Sequence, residues 1–90
     1  MSWRIDFFAS SLKFLKQNNL DEILVIEKLR LAFRKFKGED ININIKKLGG
    51  GWEGFYRIRD GKMRIIVEFQ FQQNHAYIEE IDWRGNVYKQ

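Results

Sequence analysis

Apolar and polar positions change their period along this chain, and the changes divide it into elements. Trp3-Arg4-Ile5-Asp6-Phe7 alternates with period two, which predicts a strand over 3–8. Leu12, Phe14 and Leu15 follow at helical spacing, with Ser10 or Ser11 placed to cap a short helix and Asn18-Asn19 to end it. A longer helix starts at once. Asn19 and Glu22 stand at capping-box spacing, and Ile23, Ile26, Leu29 or Arg30, Phe33 and Phe36 recur along one stripe. Asp21 and Glu22 in its first turn, Arg34, Lys35 and Lys37 in its last, and Gly38 beyond suit the helix dipole and a C-terminal cap.

The period then returns to two. Ile41, Ile43 and Ile45 alternate with Asn42 and Asn44, predicting an extended segment lying along the core. Gly49-Gly50-Gly51 reads as a flexible turn, because neither a helix pattern nor a Gly-Lys-Ser/Thr sequence follows it. Strands are predicted over 52–59, 63–71 and 76–83, with Asp60-Gly61 as the hairpin signal between the first two. The order is an N-terminal strand, a two-helix hairpin, then a three-stranded antiparallel meander. That is an α+β fold with one sheet and helices packed on one face, filling a single domain, 1–90.

Alternation assigns faces to the side chains. With Asp60-Gly61 as a two-residue loop, Arg57 faces Arg64 and Arg59 faces Lys62, all four projecting from one side of the sheet. Tyr56, Ile58, Met63, Ile65, Val67, Phe69 and Phe71 take the other side as core. A three-residue loop at Gln73-Asn74-His75 pairs Phe71 with Tyr77, Val67 with Ile81 and Ile65 with Trp83. It also sets Arg84 beside Arg64 and Asp82 near Ile66, and leaves His75 in a solvated turn. Like charges directly opposite one another destabilise a sheet, so stability alone does not select four stacked cations. They point to an anion, and Arg suits phosphate or nucleic acid because its planar fork is permanently charged.

Composition narrows the class. The chain has 90 residues, no Pro, no Cys and one His, and is 44% hydrophobic and 16% aromatic. Large rings compensate for the small core that so short a chain can bury. A disulfide scaffold and a cysteine zinc site are excluded. No apolar run approaches the about 20 residues of a membrane span. Charges in Met1-Ser2-Trp3-Arg4-Ile5-Asp6 occupy the place of a signal peptide's apolar stretch, so a cytoplasmic location without membrane contact is expected. Sixteen Lys and Arg against twelve Asp and Glu give +4, shared equally by the two halves of the chain. The informative charge is local, within residues 57–64.

Ile45-Lys46-Lys47-Leu48 followed by Gly54-Phe55-Tyr56-Arg57-Ile58-Arg59-Asp60-Gly61-Lys62-Met63-Arg64-Ile65-Ile66 resembles the "KL…G-x-Y-R-I-R-x-G-x-x-R-I-I" stretch of the RelE/ParE toxin superfamily. Ile81-Asp82-Trp83-Arg84-Gly85-Asn86-Val87-Tyr88 is similar to that family's "I-x-H-R-x-x-V-Y" tail. The resemblance implies a RelE-like toxin of a type II toxin-antitoxin system, with a cognate antitoxin as partner. RelE-like members cut mRNA in the ribosomal A site without a metal or other cofactor; ParE-like members poison DNA gyrase instead. Carried over by position, the catalytic set is Arg57, Arg59, Arg64, Arg84 and Tyr88, with Lys46, Lys47 and Lys62 as further RNA-binding cations. Trp83 stands where many relatives have His, and Arg57 and Arg59 where many RNA-cutting members have Lys. Tyr88, Asp82 and Glu80 remain as bases. A non-catalytic nucleic-acid-binding module is the further alternative.

Overall fold

The computed structural model describes residues 2–83. Over them run β1 (Arg4–Phe7), α1 (Ala9–Gln17), α2 (Glu22–Phe36), β2 (Asn44–Lys47), β3 (Phe55–Asp60), β4 (Met63–Gln70) and β5 (His75–Trp83). The strands form one sheet in the order β1-β5-β4-β3-β2. β1 lies parallel to β5, and every other pairing is antiparallel. The predicted α+β class and element order hold. The isoleucine-asparagine stretch goes further than predicted, because Asn44–Lys47 joins the sheet as its edge strand beside β3.

Both helices cover one face. Val25, Leu29 and Ala32 of α2 and Leu15 of α1 meet Ile58, Met63, Ile65, Val67, Phe69, Ala76, Ile78 and Ile81 of the sheet in one buried cluster. The buried stripe of α2 is rotated from the predicted one, and Ile23 is 48% exposed. Residues 23–26, 29 and 31–33 are all apolar, so spacing does not choose among neighbouring stripes. Small Ala32, fully buried, marks the side that approaches the sheet. One end of this interface is closed by rings. Trp3 stacks on Phe33 at 4.4 Å, and Phe36 stands edge-on to Tyr56, Phe69 and Phe71 at 5.1–5.3 Å.

The caps differ from those predicted. α1 starts after Phe8 with no side-chain cap, and Ser11 lies inside the helix, fully buried, its Oγ donating to the Ile78 carbonyl at 3.2 Å. α2 is capped by Asp21, whose carboxylate accepts from the Ile23 N–H at 2.9 Å. Asn19 is occupied otherwise: at φ 55° it turns the chain out of α1, a conformation Asn tolerates. No helix among the described residues is long and apolar enough to cross a membrane.

Candidate nucleic-acid interface

The β3–β4 hairpin presents the cations. Its turn is Gly61-Lys62, with Gly61 at φ 62°, and Asp60 pairs with Met63 rather than lying in the loop. Arg59 therefore faces Arg64, and Arg57 faces Ile66. Each partner moves by two residues from the predicted register, which preserves the face because side chains alternate with period two. Arg57, Arg59 and Arg64 do project together from the side that carries no helix. On β2, Lys46 stands directly opposite Arg57 and joins them. Lys47 pairs with Tyr56 and belongs to the helix side, and Lys62 sits exposed in the turn.

These arginines are held rather than floating. Arg57 Nη2 donates to Asn44 Oδ1 at 2.7 Å, tying β3 to the edge strand. The Nε atoms of Arg57, Arg59 and Arg64 are shielded from water. Ile66, on the same face and outside the core cluster, is only 1% exposed. Its neighbours in the pleat are Arg57, Arg64, Glu68 and Glu80, whose stems can cover it while their polar heads reach water.

Strand β5 adds carboxylates to this face over its described residues. Asp82 faces Arg64, Glu80 faces Ile66, and Glu79 is the extra residue of a bulge between the Ile66 and Val67 pairings. The predicted three-residue loop fails because Phe71–Gln73 forms a 3₁₀ turn, followed by Asn74 at φ 50°. His75 is thus the first residue of β5, not a solvated turn residue. The bulge changes the alternation, so Tyr77 pairs with Glu68 on the arginine side and not with Phe71 in the core. Trp83 keeps the helix side, facing Met63, with its ring 5.2 Å from Phe14. The Glu79 carboxyl is raised above its ordinary pKa, first by burial and then by repulsion from Glu68 and Glu80. Arg84 and Tyr88 lie outside the described residues.

Two features escape spacing arguments. Asn44 is a polar residue on an edge strand, and nothing in the sequence couples it to Arg57. The second is a network at the far end of β5. His75 Nε2 lies 2.6 Å from Asp6 Oδ2, which also accepts from Arg4 Nε at 2.9 Å. The hydrogen bond from His75, with Arg4 beside it, holds the Asp6 carboxyl below its usual range. His75 is therefore engaged with β1, away from the arginines. Among the described residues, no group of three or more His, Cys, Asp or Glu is arranged to hold a metal ion.

A five-stranded mixed sheet with two helices on one side is the fold of solved RelE-like toxins. Solved structures with this fold include a chain of the RelBE2 toxin-antitoxin complex from Mycobacterium tuberculosis, at 18% identity over 93% of this chain and 100% of that one, TM-score 0.58. A chain of the RelB-RelE antitoxin-toxin complex from Methanococcus jannaschii is 24% identical over 92% and 94%, with TM-score 0.60. The YoeB dimer from Staphylococcus aureus gives 15% over 92% and 98%, with TM-score 0.62. No protein-family model and no curated protein matches the chain.

Proposed function

We propose that this protein is the toxin of a type II toxin-antitoxin system and acts as a metal-independent endoribonuclease on mRNA, at the ribosome. The observation that carries the reading is the gathering of Lys46, Arg57, Arg59 and Arg64 on the helix-free face of a RelE-like fold. Its supports are the family motifs in the sequence and the RelB-RelE and RelBE2 complexes among the similar structures. They also support a cognate antitoxin, whose acidic residues would neutralise this face.

The reaction suits the side chains. The 2′-oxygen of a ribose bonds to the adjacent phosphorus as the bond from phosphorus to the 5′-oxygen breaks, leaving a cyclic phosphate and a 5′-oxygen that takes a proton from water to become a hydroxyl. Arg57, Arg59 and Arg64 neutralise the charge that builds on the phosphoryl oxygens, the term that usually contributes most. The 2′-hydroxyl proton needs a base. Glu80 is exposed and lies across Ile66 from Arg57, whereas Asp82 Oδ1 already accepts the Trp83 N–H at 2.7 Å. Glu80 is therefore the better-placed carboxylate.

One observation favours a second reading, gyrase inhibition of the ParE kind. Among the described residues no His stands beside the arginines, and Trp83 points to the helix side. Inducible expression separates the two readings when translation, mRNA 5′ ends and DNA breaks are followed in parallel. Arrested translation with new mRNA ends is expected, and Arg57→Ala or Arg64→Ala should relieve it. Double-strand breaks with intact mRNA and continuing translation would replace the nuclease by the gyrase reading.

A further inference from the structure

We infer that the arginine face carries a nucleobase subsite formed by Phe55 and Glu68, selective for guanine; this rests on reading that face as RNA-binding. Phe55 precedes Arg57 by two positions on β3 and pairs with Glu68 of β4, so its ring shares the face of the arginines. It is half-buried and absent from the apolar residues packed on the core. Trp52 lies edge-on against it, with ring centroids 5.2 Å apart at 89°, which fixes the Phe55 ring from one side. An aromatic ring beside cations is how single-stranded nucleic acid is gripped, with bases stacking and phosphates ion-paired.

The spacing supports one strand across both elements. Residues two apart on a strand are about 7 Å apart, a distance that one nucleotide of an extended chain spans. With a phosphate at Arg57, the neighbouring base reaches Phe55. Glu68 decides what occupies that row. Its carboxylate makes no ion pair or side-chain hydrogen bond among the described residues. Lys46, Arg57, Arg59 and Arg64 all lie elsewhere on the face, so a phosphate is repelled from this row and drawn towards them. An ionised carboxylate only accepts hydrogen bonds. Guanine alone among the bases presents two adjacent donors, N1–H and an N2–H, on its Watson–Crick edge, and they match both carboxylate oxygens. Adenine, cytosine and uracil each set an acceptor beside the donor, which an ionised carboxylate repels.

The test is fluorescence anisotropy with labelled 2′-deoxy oligouridine analogues, which lack the attacking hydroxyl, carrying one guanine, one adenine or one abasic position. The wild-type chain should bind the guanine probe about tenfold tighter than the all-uracil probe, as a bidentate pair implies. Glu68→Gln should abolish that preference and leave uracil binding equal or tighter. Phe55→Ala should weaken the guanine probe about tenfold and leave the abasic probe unchanged. Equal binding of guanine and uracil probes by the wild type, or a preference retained in Glu68→Gln, overturns the subsite. Abasic scanning of the wild type tests the stacking even if Phe55→Ala does not fold, since a cost-free abasic position everywhere is also fatal. Arg57→Ala separates the two levels. If it leaves all affinities unchanged, the RNA-binding reading fails; if it lowers them all while the wild type shows no base preference, only the subsite fails.

Discussion

Lys46 and Arg57 stand directly opposite on β2 and β3, so stability and the proposed phosphate binding make opposing demands on one position. Lys46→Glu turns a like-charge pair into an ion pair without touching the core. Opposite residues have Cβ atoms about 5 Å apart, and such pairs contribute about 0.2–1 kcal/mol. Lys46 is exposed, which places it in the lower half of that range. Relieving the repulsion and gaining the attraction together stabilise by about 0.8 kcal/mol. In a domain of this size 1 kcal/mol is about 4–8 °C, so the variant should melt about 3–6 °C higher. Most of that gain should vanish near 1 M salt, where the Debye length is about 3 Å.

RNA binding should move the other way. The face loses a positive charge and acquires a negative one, which removes about two phosphate contacts. The slope of log affinity against log salt should shrink by about 1.4, at about 0.7 per single-strand contact. Circular-dichroism melts at low and high salt measure the first effect, and anisotropy titrations over a salt series the second. Lys46→Met, carrying neither charge, should fall between the two proteins in both assays. A Lys46→Glu protein that melts no higher than wild type at low salt would refute the opposed arrangement of Lys46 and Arg57. Undiminished RNA affinity in that variant would show that this edge of the sheet does not meet the phosphates.

Other positions test the scaffold. Ser11→Ala should cost about 0.5–1 kcal/mol in urea denaturation, at the lower end for a buried hydroxyl, because the Ile78 carbonyl still accepts from the Phe8 N–H at 3.0 Å. Asp21→Ala should lose about 1 kcal/mol with the α2 cap, whereas Asn19→Gly should be tolerated, since Asn19 serves only a left-handed turn. Asp6 has its folded-state pKa lowered by His75 and Arg4, so the stability it contributes is present above the ordinary carboxylate pKa, about 3.9, and is lost as pH falls through the lowered folded value. The stability difference between wild type and Asp6→Asn should therefore be full at pH 6 and close in strong acid; a difference that grows on acidification would contradict the His75–Asp6 bond.

The face of each β3 and β4 residue was legible in the sequence because parity survives an error of two. Placing the turn at Asp60-Gly61 instead of Gly61-Lys62 changes every partner and no face. β5 was less forgiving. Its pattern, Ile78-Glu79-Glu80-Ile81, sets two buried residues three apart, which period two does not allow. An unpaired residue between them resolves the conflict, and the adjacent glutamates are the sign of it: strict alternation would bury one. Without the bulge Tyr77 falls in the core; with it, Tyr77 lies beside Glu68. Ser11 and Asn19 escaped for a different reason. Both are good capping residues by type, but one is needed by the Ile78 carbonyl and the other by a turn, demands set by tertiary packing rather than by local sequence.

The face then has a polarity that net charge conceals. Lys46, Arg57, Arg59 and Arg64 occupy β2, β3 and the start of β4, while Glu79, Glu80 and Asp82 line β5 across from them. A phosphate chain laid over the sheet is attracted on one side and repelled on the other, so the face selects a path as well as a charge. The cations on that path are partly ordered before any ligand arrives, by the Asn44 bond to Arg57 and by Nε atoms already withdrawn from water. On the proposed nuclease reading, ordering the arginine side chains in advance lowers the entropic cost of meeting a phosphate and fixes the donors where charge would build during transfer. The cross-strand repulsion between Arg59 and Arg64, and between Lys46 and Arg57, is the stability given up for that arrangement. A solvated sheet face selected only for solubility would have set carboxylates opposite these cations, whereas of the four only Arg64 has one, Asp82, directly across from it.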